Sequence, residues 1–139
     1  MASNAPPEIE RFLATGSFAV VGASVDRAKY GNKVLRCYAQ HGLPVVAVNP
    51  KVQTVEGRPS HGSLAAASKA VGKMLAVSIV APPAAASAIV ADAIAAGVLH
   101  LWFQPGAEDG PAIATARAAG IEVIGNGPCL LVELGFTDA

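Results

Sequence analysis

The chain has 139 residues, 53% hydrophobic and 14% charged, and its ten basic side chains balance ten acidic ones. That length suits a single domain, residues 1–139, with a core of its own, and zero net charge argues against nucleic acid as a main partner, since phosphate backbones select strongly basic faces. No apolar run approaches the ~18 residues of a membrane span, because Pro82-Pro83, Asp92 and Gly97 interrupt the longest ones, so no membrane partner is expected.

Residues 1–4 carry neither a basic region nor an apolar stretch, which predicts a cytoplasmic protein rather than a secreted one. Residues 1–6 are expected to be flexible. Residues 7–13 read as a short helix with Pro7 in its first turn and Ile9, Phe12 and Leu13 on one face. Gly16 ends it, and residues 17–22 form the first strand. A loop over 23–31 leads to a helix over about 32–41, with Asn32 as a cap. Gly42 and Pro44 stop that helix before a second strand, 45–48. Residues 49–62 read as irregular, with 54–59 an exposed excursion. Ser63 can cap a helix over 64–71, and 74–80 is an apolar third strand of the kind covered on both faces.

Ala81-Pro82-Pro83 makes the next turn, followed by a helix over 84–96 that Gly97 ends. The fourth strand is 98–103, with Trp102 and Phe103 on opposite faces. Pro105-Gly106 turns the chain, Glu108 and Asp109 fall where a helix start favours acids, and that helix stops at Gly120. The fifth strand is 121–124, and the tail is marked by glycine and proline before the apolar Leu130-Leu131-Val132. Strands alternating with helices predict an α/β, Rossmann-like three-layer sandwich around a five-stranded, mostly parallel sheet.

Ligands bind such sheets beyond the carboxyl ends of the strands. The candidate site is therefore assembled from the turns at 22–31, 49–51, 81–83, 104–106 and 126–129. Gly22-Ala23-Ser24 joins a buried strand to a helix. The unpaired N–H groups of a helix start carry partial positive charge and suit a phosphate. The turn does not satisfy G-x-G-x-x-G, the next glycine being Gly31. At the tip of the second strand, where a carboxylate normally accepts from the ribose of NAD, the chain carries Lys51. A lysine suits an extra phosphate on the adenosine instead. Arg27 can fork onto a phosphate, while Lys29 and Lys33 add positive potential. Cys37 and Cys129 form neither a disulfide framework nor a zinc spacing, so reduced thiols and no metal site are expected. Cys37 reads as core. Cys129 falls on the ligand side, where it either packs the last turn or meets a ligand thiol. Ser24 has no histidine or acid tied to it by motif, so no catalytic residue is assigned.

Val21-Gly22-Ala23-Ser24, Val48-Asn49-Pro50-Lys51, Trp102-Phe103-Gln104-Pro105-Gly106 and the late Cys129 resemble the small stand-alone CoA-binding proteins over about residues 8–136. These are single Rossmann-like domains similar to the CoA-binding domain of the succinyl-CoA synthetase α subunit. The resemblance implies coenzyme A or an acyl-CoA as ligand. It implies that Gly22, Ala23, Ser24 and Val25 contact its phosphates, that Lys51 meets the 3′-phosphate, and that Ala81, Pro82 and Pro83 wall the adenine and pantetheine. The synthetases use a phosphorylated histidine in a second domain, whereas His41, His61 and His100 match no such motif here. In Asn126-Gly127-Pro128-Cys129-Leu130 the cysteine is followed by leucine, where proline is commoner. The expected function is thus non-catalytic CoA binding by a monomer or homodimer. The alternatives are a small NADP-dependent oxidoreductase, with Lys51 on the 2′-phosphate, and a synthetase-like fragment that works with a partner chain, which an exposed apolar patch at 130–132 would favour.

Overall fold

Four-residue apolar runs are too short for helices but suit strands buried on both faces. In the computed structural model, which describes residues 6–138, these runs become the centre of one sheet. Residues 1–5 of the segment expected to be flexible lie outside the described residues; Pro6 precedes the first helix and its carbonyl accepts from the N–H groups of Ile9 and Glu10. The elements are α1 (Pro7–Ala14), β1 (Phe18–Val21), α2 (Tyr30–Gln40), β2 (Val45–Val48), β3 (Thr54–Val55), β4 (Arg58–His61), α3 (Leu64–Val71), β5 (Ala76–Ile79), α4 (Ala86–Ala95), β6 (His100–Phe103), α5 (Gly110–Ala118), β7 (Glu122–Ile124) and α6 (Leu130–Leu134). A 3-10 turn over Pro83–Ala85 leads into α4.

The sheet runs β3-β4-β2-β1-β5-β6-β7 and is parallel except for the β3–β4 pair. It has seven strands rather than the expected five. The two additions come from the segment read as irregular. Residues 54–59 are a hairpin, with Val55 opposite Arg58 and Thr54 opposite Pro59. Glu56 and Gly57 turn it with φ of 50° and 75°, the double positive φ of a type I′ turn. Its β4 then pairs with β2 through Ser60 and His61. Pro59 is tolerated because that pairing begins one residue later, so no ladder N–H is missed. Val55 is fully buried, which fixes the hairpin against the body of the domain.

Strand side chains alternate between two cores, as the period of two requires. Phe18, Val20, Ala76 and Trp102 face α1, α2 and α6; Ala19, Val77, Leu101 and Phe103 face α3, α4 and α5. Trp102 and Phe103 thus take opposite faces as expected. The first core is aromatic: Phe12 meets Trp102 edge-on at 5.3 Å and Phe18 stacks on Tyr38 at 4.7 Å. Tyr38 is fully buried and its hydroxyl pairs with that of Ser78, 2.7 Å away in the middle of β5. Burial pushes the Tyr38 phenol far above its ordinary range. The second core is rich in alanine, which lets α3, α4 and α5 lie close to the sheet.

Ser63 caps α3 as expected, its hydroxyl accepting from Ala66 N–H at 3.1 Å. Asn32 does not cap α2. The helix begins at Tyr30, and Asn32 is drawn inside, fully buried. Asp109 caps α5 by accepting from Ala112 N–H, while Glu108 stands before the helix and accepts from Gly106 and Asn126 N–H. The apolar tail folds back as α6: Leu130 is buried, while Val132 stays 75% exposed.

Candidate functional site

Three elements meet at Gly22. Its φ is +89°, and a Cβ there would lie 1.8 Å from the Val80 carbonyl oxygen; a Cβ on Gly31 would lie 2.0 Å from the Gly22 oxygen. Glycine at both positions lets β1, the end of β5 and the start of α2 touch main chain to main chain. The first turn of α2 is thereby brought onto the carboxyl edge of the sheet.

The turn is then held by two asparagines. Asn49 Nδ2 donates to the Ala23 carbonyl at 2.9 Å, and its Oδ1 accepts from Lys51 N–H at 2.9 Å. Asn32 Nδ2 donates to the Ser24 carbonyl at 2.8 Å, and its Oδ1 accepts from Arg36 Nε at 2.6 Å. A trans peptide sets its N–H opposite its C=O. Holding both carbonyls from the protein side therefore turns the Ser24 and Val25 N–H groups the other way. Ser24 Oγ accepts from Asp26 N–H at 3.1 Å, which tightens the loop and leaves the hydroxyl proton to donate.

Beyond this turn lies a cleft of about 800 Å³. It brings together Gly22, Ala23, Ser24, Lys29, Asn49, Lys51, Ala81 and Pro82 of the residues and turns singled out in the sequence, and adds the Tyr30 ring. Val25, Arg27 and Pro83 stand outside its wall. Val25 is 58% exposed, Pro83 opens the 3-10 turn, and Arg27 Nη1 is paired with Glu56 Oε1 at 2.7 Å. Glu56 also accepts from Asn32 Nδ2 at 3.2 Å, so the hairpin tip braces the loop that leads into α2. Sequence reasoning missed this brace because the hairpin itself was hidden.

The electrostatics of the cleft favour an anion at α2. Lys29 and Lys51 stand on its wall. Asp92 is also there, but its carboxylate accepts from Leu64 and Ala65 N–H at 2.7 and 3.3 Å and so fills the start of α3. No histidine lines the cleft. Among the described residues no group of three or more potential metal ligands comes together.

A second cleft of about 500 Å³ continues from the first across the ends of β5 and β6. The two share Tyr30, Val80, Ala81 and Pro82; the second adds Gln104, Pro105, Gly106, Ala107 and Cys129. Gln104 is buried and spans the site, its Oε1 accepting from Leu130 N–H at 2.8 Å and its Nε2 donating to Cys129 Sγ at 3.4 Å. Both cysteines are free thiols. Cys129 faces this cleft, whereas Cys37 is core as expected, and burial pushes its thiol up to about 11. Tyr30, which stands between the clefts at 62% exposure, was missed because the sequence places it in the loop before the helix, whereas it opens α2.

A family model described as a CoA binding domain matches residues 16–135. Among solved structures, a conserved hypothetical protein from Pyrococcus furiosus is 36% identical, with a TM-score of 0.76 over 84% of this chain and 97% of that one. A hypothetical protein from Pyrococcus horikoshii is 26% identical, with a TM-score of 0.81 over 96% of each chain. A protein from Thermus thermophilus is 25% identical, with a TM-score of 0.74 over 91% of this chain and 93% of that one. No helix of the described residues is long and apolar enough to cross a membrane.

Proposed function

The chain belongs to the CoA-binding domain family, and on that premise we propose that it is a cytoplasmic, non-catalytic binding protein for CoA or an acyl-CoA, acting as a monomer or homodimer. The observation that carries this reading is that Gly22, Ala23, Ser24 and Lys51 stand on the wall of one cleft. The main-chain N–H groups of the turn and the start of α2 hold the diphosphate. Lys51, one strand away at the tip of β2, meets the 3′-phosphate. Ala81 and Pro82, at the end of β5, lie against the pantetheine. Val25 contributes its N–H, Arg27 lends charge from beside Glu56, and Pro83 extends the Pro82 wall.

Ser24 Oγ accepts from Asp26 N–H and keeps its proton to donate to a phosphate oxygen, which supports a holding role. The NADP reading uses the same lysine on a 2′-phosphate. For the partner-chain reading the tail is divided: Leu130 is buried in α6, while Val132 is exposed. Calorimetric titration with CoA, dephospho-CoA, acetyl-CoA, NAD and NADP separates these readings. CoA should bind, with dephospho-CoA weaker. NADP binding without CoA overturns the proposal in favour of the oxidoreductase.

A further inference from the structure

The second cleft differs from the first in charge as well as position. Lys29, Lys51 and Asp92 line the first; no lysine, arginine or carboxylate lines the second. Its one amide side chain, Gln104, is held at both ends by Leu130 N–H and Cys129 Sγ. Val80, Pro82, Pro105 and Ala107 with the Tyr30 ring make the rest of the wall mostly apolar, within the size range of small-ligand sites.

The order of strands turns these clefts into a track. Along the carboxyl edge, β2 carries Lys51, β1 carries the Gly22 turn, β5 carries Ala81 and Pro82, and β6 carries Gln104 and Pro105. Neighbouring strands lie about 4.8 Å apart, so the track advances from phosphate-binding to apolar chemistry in three steps. A CoA whose 3′-phosphate is at β2 and whose diphosphate is at β1 delivers its thioester end toward β6.

We propose that the β5–β6 cleft takes the acyl group of a short aliphatic acyl-CoA and rejects acyl groups that end in a carboxylate. This rests on the CoA reading above. An alkyl chain gains by leaving water against the apolar wall. A terminal carboxylate, as in a succinyl group, would give up water there and meet no cation on the wall, only the neutral donors of Tyr30 and Gln104.

Calorimetry of the full chain with CoA, acetyl-CoA, butanoyl-CoA and succinyl-CoA tests it. From acetyl to butanoyl, affinity should rise by about three- to fourfold per added methylene, the equivalent of burying one CH₂. Succinyl-CoA should bind at least roughly tenfold more weakly than butanoyl-CoA. Pro105→Trp, at an exposed position on the cleft wall, should bring the ratio of butanoyl-CoA to acetyl-CoA affinity near one, with its melting temperature reporting that the fold is kept. A flat series, succinyl-CoA equal to butanoyl-CoA, or a gradient that survives in the tryptophan variant overturns this proposal and leaves the CoA reading standing. Absence of CoA binding itself defeats that reading, and this proposal with it.

Discussion

At the β1 end of the cleft, Gly22, Ala23 and Ser24 present main chain, and the space is set by contacts between backbones. At the β6 end, Gln104, Pro105, Ala107 and Cys129 present side chains, and the space is set by their sizes. A backbone wall makes the same N–H groups available whatever side chains surround it, but it cannot be reshaped without moving a strand or a helix. A side-chain wall can be retuned one residue at a time. The first therefore suits the invariant part of a ligand and the second the part that varies.

The largest expected effect comes from breaking the backbone wall. Gly22→Ala places a Cβ 1.8 Å from Val80 O on a residue at φ +89°, and should cost about 3 kcal/mol or more, roughly a 10 °C drop in melting temperature. Gly31→Ala meets Gly22 O at 2.0 Å and should behave alike. Gly125→Ala, after β7, is the matched control: its nearest neighbour is Ile113 Cδ1 at 3.5 Å, ordinary contact. It should change stability by no more than about 0.5 kcal/mol. Similar melting temperatures for Gly22→Ala and Gly125→Ala would show that the backbone wall yields after all.

Next comes the brace. Asn32→Ala removes the donor to Ser24 O and the acceptor of Arg36 Nε at a fully buried position. It should cost about 2–3 kcal/mol in denaturant unfolding. Lys51→Ala is smaller and acts on the ligand: CoA affinity should fall about tenfold, ~1.4 kcal/mol, with dephospho-CoA unchanged. Equal losses for the two ligands would remove Lys51 from the 3′-phosphate.

The same contrast explains what was legible in the sequence. The strand, small-residue turn and helix at 18–40, the Ser63 cap and the glycines that end helices are local signals, and each stands close to where it was read. Lys51 was readable because β2 is short and its end is marked by Pro50. The hairpin was not, because its I′ turn is Glu56-Gly57 rather than Asn-Gly or Asp-Gly, and Pro59 argues against a strand. The turns that line the second cleft, 81–83, 104–106 and 126–129, were legible one by one, but not the contact that joins them. Gln104 and Cys129 are separated by 25 residues and meet only once β6 and α6 are docked. Asn32 looked like a cap because asparagine favours caps; its pull toward Ser24 O and Arg36 won instead.

The smallest effect should come from a contact remote from both clefts, which makes it the control for every binding experiment above. Arg11 on α1 forks onto Glu122 of β7, with Nε and Nη2 within 2.8–3.0 Å of the carboxylate. This bond holds the Glu122 carboxyl below its ordinary range and the Arg11 guanidinium above its own. Because the folded-state value of Glu122 is depressed, its contribution is complete above the unfolded value of about 4.3 and is lost as pH falls through the folded value. Arg11 stays charged throughout that window. Arg11→Ala should therefore lower the melting temperature slightly at pH 7, with the gap to the parent closing as the pH is lowered below 4, and the gap should shrink in high salt because the pair is exposed. CoA affinity should be the same in both proteins at pH 7. A gap that is constant from pH 7 to 3 would assign the role of Arg11 to packing of its stem rather than to charge, and an altered CoA affinity would mean that α1 reaches the cleft through the aromatic core it shares with α2.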